Sequence, residues 1–66
     1  MDEKAEVALP KGIGAPATRA LTAAGYMRLE QLDGVSADRL GALHGVGPKA
    51  VRVLREALAE RGMALA

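Results

Sequence analysis

The sequence holds no cysteine, no tryptophan and no phenylalanine, and only one tyrosine (Tyr26) and one histidine (His44) in 66 residues. Without cysteine there is neither a disulfide nor a thiolate zinc site, and one histidine cannot form a metal cluster alone. Both common staples of small scaffolds are therefore missing, and no metal or cofactor is expected. The same scarcity speaks against an enzyme: with one imidazole, no thiol and little volume for a pocket, few combinations of acid, base and nucleophile exist. No apolar run approaches the roughly 20 residues of a membrane span. The opening Met1-Asp2-Glu3-Lys4 is too acidic and polar for a secretory signal. These absences lead to the expectation of a soluble, cytoplasmic, non-enzymatic chain without membrane association.

What the chain does contain fits one small domain, since a chain of this length buries only about 60% of its unfolded surface. Fourteen residues are alanine, so the core has to come from Leu, Val and Ile on short, closely packed helices. The formal net charge is +1. It is unevenly divided: Asp2, Glu3 and Glu6 outweigh Lys4 in residues 1–6, leaving eight bases and five acids, or +3, in residues 7–66. That is a weak electrostatic footprint, so local placement has to carry any argument about a charged partner.

Glycine and proline divide the chain. Residues 1–8 lack a helix start and read as a flexible N-terminal segment, with a possible turn of helix over 6–9, and the domain is expected over 9–66. Pro16 suits a first helical turn, and the residues over 17–24 continue as a helix until Gly25 stops it. Leu29 and Leu32, three apart, suggest a helix over 26–32 closed by Asp33-Gly34. Ser36 is an N-cap candidate for a helix over 37–43, with Asp38 where the helix dipole favours an acid. Pro48 opens the longest helix, over 48–61, with Val51, Leu54 and Leu58 on its apolar stripe and Gly62 after it. No strand alternation occurs, so the class is all-α.

The connections before the first and last helices echo each other: Gly12-Ile13-Gly14 and Gly45-Val46-Gly47 both place an apolar residue between two glycines. Glycine reaches positive φ and lets another backbone approach closely. The apolar residue anchors the turn, and the unpaired N–H groups of the helix that follows favour an anionic oxygen such as a DNA phosphate.

The run Leu43-His44-Gly45-Val46-Gly47-Pro48-Lys49 resembles the helix-hairpin-helix DNA-binding motif. Leu9-Pro10-Lys11-Gly12-Ile13-Gly14 resembles a second copy with one extra residue before its first glycine. Two copies imply the double helix-hairpin-helix (SAM-like) arrangement, a compact bundle of four to five short helices. Residues 19–66 are also similar, without evident gaps, to the C-terminal domain of the bacterial RNA polymerase alpha subunit. The similarity runs through Ala20-Leu21, Gly25-Tyr26, Leu29, Leu32, Leu40, Val46-Gly47, Lys49, Leu54, Leu58 and residues 61–65. That family enters the minor groove with an arginine, helped by an asparagine three residues later; the aligned positions here are Pro16 and Arg19. The resemblance thus implies phosphate contacts by Gly47 and Lys49, without the reading of a promoter element.

The expected function is a non-catalytic domain that holds duplex DNA across the minor groove, largely independent of sequence. Backbone amides at Gly12, Gly14, Gly45 and Gly47 would meet phosphates, Ile13 and Val46 would anchor the hairpins, and Lys11, Arg19, Lys49 and Arg52 would add charge. With about 100° per residue, Arg52 and Arg55 fall opposite the core stripe of the last helix, while Glu56 and Glu60 fall at angles close to Lys49, so that the face is mixed and local pairs dilute its field. Each of these residues also has a plainer reading, as turn glycines or solvated charges. His44 reads equally as an exposed loop residue, Tyr26 as partial core, and Arg28, Arg39 and Arg61 as solubility charges. The alternative function is a protein-interaction module that keeps the fold without DNA binding. The remaining expectations are a monomer, association with the nucleoid, another protein of DNA metabolism or transcription as partner, and a GC-rich bacterial source suggested by the alanine, arginine and glycine usage.

Overall fold

A computed structural model describes residues 8–66. A 3₁₀ turn at Lys11–Ile13 runs directly into α1 (Gly14–Ala23), and a second 3₁₀ turn at Leu29–Leu32 precedes α2 (Ala37–Gly41) and α3 (Pro48–Ala59). No strand occurs among the described residues, where the one extended pairing is an isolated antiparallel bridge between Ala8 and Arg28. The all-α class is correct. The described residues form three α-helices and two 3₁₀ turns, where four to five short helices are expected. The expected flexible segment over 1–8 lies, except for Ala8, outside the described residues, as does the first half of the turn expected over 6–9.

Each departure has a local cause. α1 starts two residues before Pro16, the expected start, because Gly14, at φ +87°, swings the chain from the 3₁₀ turn straight into the helix while its N–H donates to the Lys11 carbonyl. Pro16 still falls in the first turn, where its missing N–H costs nothing. The helix expected over 26–32 shrinks to its last four residues. The Gln31 side-chain oxygen accepts from the N–H groups of Met27 and Arg28 at 2.7 and 2.9 Å, holding that stretch outside a helix, and Arg28 is extended at φ −129°. The three-residue spacing of Leu29 and Leu32 nonetheless correctly marks two core residues, both buried. Ser36 caps α2 as expected, its Oγ accepting from Arg39 N–H at 3.4 Å. That helix stops two residues short of 43, where Leu43 N–H bonds the Leu40 carbonyl at 3.1 Å in a tightened last turn.

Gly25 and Gly62 close their helices as expected, although α3 ends at Ala59, two residues short of the expected 61. At the end of α1, Gly25 takes φ +98°, its N–H bonds the Thr22 carbonyl at 3.0 Å and Tyr26 N–H bonds the Leu21 carbonyl at 2.8 Å. Gly62, at φ +76°, repeats the arrangement after α3 with bonds from Gly62 to Ala59 and from Met63 to Leu58. Both are Schellman closures, which satisfy carbonyls that a helix end leaves open.

The core is aliphatic. Leu21, Leu32, Leu40, Leu54 and Leu58 are its largest fully enclosed side chains, joined by Ile13, Ala17, Leu29, Val46 and Ala50. On α3 the buried residues Ala50, Leu54 and Leu58 stand four apart, as one face of a helix requires. Lys49, Arg52, Arg55, Glu56 and Glu60 remain exposed on that helix and its C-cap.

A pairing that the sequence did not announce closes the bundle. Residues 64–66 lie along the loop before α2: Gly34 N–H bonds the Ala64 carbonyl at 2.8 Å, Ala66 N–H the Val35 carbonyl at 2.8 Å, and Ala37 N–H the Ala66 carbonyl at 3.3 Å. Asp33 Oδ1 accepts from Ala64 N–H at 3.2 Å. Asp33→Ala should therefore lower stability by about 0.5–1.5 kcal/mol. Asp33→Asn, which keeps an acceptor, should lose less than half as much. Urea unfolding followed by circular dichroism measures both, and equal losses would mean that the acceptor contributes nothing.

Candidate nucleic-acid interface

The two glycine hairpins occupy different mechanical positions. In the second, Val46 N–H bonds the Leu43 carbonyl at 3.1 Å across a turn whose third residue, Gly45, has φ +99°. That conformation strongly favours glycine. Steric demand is added to it: a Cβ on Gly45 would come to 2.9 Å from the Pro16 carbonyl oxygen and 3.3 Å from its carbon. The hairpin that leads into α3 is thus seated on the first turn of α1. Val46 points inward, 4% exposed, as the anchoring role predicts.

Gly47 is different. It is the N-cap of α3, with an extended backbone (φ −98°, ψ −178°) open to any residue, and a Cβ there would meet nothing within 4 Å. Folding makes no demand for glycine at this position. Serine or threonine would cap the helix, yet no side chain does so here. The N–H groups of Gly45 and Gly47 donate to no described residue. First-turn N–H groups such as those of Lys49 and Ala50 find no acceptor within their own helix.

The first hairpin is more fully accounted for by the fold. Ile13 is 8% exposed and fills the role assigned to it. A Cβ on Gly12 would touch Val53 Cγ1 at 3.4 Å, so this turn lies across the middle of α3. Gly14 is held at positive φ, and its N–H donates inside the turn to Lys11.

The basic side chains surround these turns without internal partners. Lys11, Arg19, Lys49 and Arg52 are all exposed. The only ion pair among the described residues is between Arg28 and Glu30, at 2.9 Å. The local ion pairs expected to dilute the charged face of α3 are not formed among the described residues: its exposed acids and bases stay apart in solvent, where holding two long chains together gains little. His44 is exposed beside Gly45, as in its plainer reading.

Two features escaped the sequence reading. Beyond starting α1, Pro16 seats the second hairpin against its carbonyl; no local signal announces a contact between residues 16 and 45. A recess bordered by Leu43, the first residue of the second hairpin's turn, joins Tyr26 and Arg39, whose expected roles are partial core and solubility.

No group of three or more His, Cys, Asp or Glu among the described residues gathers as a metal site. No helix among them is long and apolar enough to cross a membrane.

Replacing the two glycines of the second hairpin should separate their roles. Gly45→Ala is expected to cost about 2–4 kcal/mol, combining left-handed strain with backbone collision. Gly47→Ala should cost about 1 kcal/mol or less, as a poorer N-cap. Urea midpoints measure both, and similar losses would remove the distinction. Comparison of the chain with known protein families, with curated proteins and with solved structures finds no match.

Proposed function

We propose that this chain is a non-catalytic domain of double helix-hairpin-helix architecture that binds duplex DNA through its phosphates, across the minor groove and largely without sequence preference. The observation that carries this reading is Gly47: a glycine that neither backbone conformation nor packing requires, at an uncapped helix N-terminus with unpartnered amides beside it. A missing side chain in open space is useful where a bulky anion must approach the backbone. Lys49 and Arg52, exposed and without ion-pair partners among the described residues, add positive charge close to that point.

The second hairpin supplies the main amide contacts. Lys11 and Arg19 contribute charge from the neighbouring hairpin and from α1, while Gly12, Ile13 and Gly14 shape the surface that presents them. Contacts of this kind position a protein without reading bases. Affinity should be weak and salt-dependent, on the order of 10⁻⁴ to 10⁻⁶ M.

Fluorescence anisotropy with a short labelled duplex at about 50 and 200 mM salt tests the proposal. Gly47→Ser introduces a favoured N-cap residue into free space, so the thermal midpoint should hold or rise while DNA affinity falls by about tenfold. Lys49→Ala should weaken binding to all sequences alike and lower the salt slope by about one. If both variants bind DNA as the parent chain does, the hairpin is not the DNA contact.

A further inference from the structure

The bundle opens onto its core beside the second hairpin, at the turn that begins with Leu43. A recess of about 210 Å³ lies between the C-terminal end of α1 and α2 with its following loop, lined by Ala24, Tyr26, Arg39, Leu40 and Leu43. Leu40 is fully buried, whereas Leu43 and Tyr26 are half-buried members of the core. The recess is thus an opening onto packed aliphatic side chains.

Its polar groups have one character. The Arg39 side chain forms no ion pair or hydrogen bond with any described residue, and neither does the Tyr26 hydroxyl. No carboxylate lines the recess. Asp38 adjoins Arg39 in sequence, but successive residues on a helix do not face each other. The carbonyls of Leu21 and Thr22 are already engaged by the helix closure at Gly25. What remains is a guanidinium and a phenol, a pair of donors suited to a carboxylate.

Size narrows the occupant further. Sites for free small molecules usually enclose about 300–1,000 Å³. This recess is smaller and has room for one side chain, so a ligand would need further contacts outside it, as a polypeptide has. We propose that the recess docks an acidic segment of a partner protein, which inserts one apolar side chain against Leu40 and Leu43 and places a neighbouring carboxylate on Arg39 and Tyr26. The inference uses no phosphate contact and stands or falls separately from DNA binding.

The probe is an acetylated, amidated peptide Asp-Glu-Leu-Asp-Glu, added to the ¹⁵N-labelled full chain and followed by amide NMR. The expected result is saturable shifts at Ala24, Tyr26 and residues 39–43, with a dissociation constant on the order of 1 mM. Substituting alanine for the peptide leucine should remove saturation. Arg39→Glu, an exposed change that thermal melting should show to be folded, is expected to weaken the peptide by at least about fivefold. The same variant should gain affinity for Lys-Lys-Leu-Lys-Lys. Absence of shifts at 5-residue peptide excess up to about 10 mM, indifference to Arg39→Glu, or equal binding of the alanine peptide would each overturn the proposal. So would concentration-dependent shifts at these residues in the free chain, which would assign the recess to a second copy.

Discussion

The distance between Gly45 and the Pro16 carbonyl sets the geometry of the whole bundle. A hydrogen atom fits there and a methyl group does not, since a Cβ would stand 2.9 Å from the oxygen. Through this seat the loop entering α3 is fixed against the start of α1. The first hairpin, which leads into α1, is in turn laid across Val53 in the middle of α3. Each hairpin therefore braces the helix that the other one begins. The orientation of Gly47 and its amides relative to Lys11 and Arg19 follows from this mutual bracing, so the candidate interface is a property of the fold as a unit.

Such bracing matters because the hydrophobic reserve is small. The five fully buried leucines come from α1, the second 3₁₀ turn, α2 and α3, so each of those elements contributes at least one. Burial of each contributes about 1.5–3 kcal/mol. Ordering costs about 1.5 kcal/mol for every residue fixed, so a domain of this size keeps only a narrow surplus. Backbone closure at the helix ends then becomes a substantial part of stability. The chain closes α1 and α3 with glycine turns, and only α2 has a side-chain cap, from Ser36.

Much of this was legible because the determining signals are local. Gly25, Gly62, Pro48 and Ser36 mark helix ends through chemistry that acts within a few residues, and all four stand at the ends they mark. The inward anchors Ile13 and Val46 follow from the apolar residue placed between two glycines. The segment over 26–32 misled because leucines three apart fit a 3₁₀ turn as well as an α-helix, while the Gln31 side chain diverts the preceding N–H groups. The unequal status of Gly45 and Gly47 could not be read at all. It depends on where residue 16 lies in space, and the two glycines look alike in a sequence motif.

The pairing of residues 64–66 with the loop before α2 also bears on how the chain folds during synthesis. Gly34 and Ala37 donate to carbonyls about 30 positions downstream, and the Val35 carbonyl accepts from Ala66. On a ribosome these groups stay unmatched until residue 66 has cleared the exit tunnel. α1, with its glycine closure, needs nothing so distant for its own hydrogen bonds. A helix of ten residues is nonetheless marginal until it is packed, so the ladder and the bundle it closes are completed only after translation has passed residue 66.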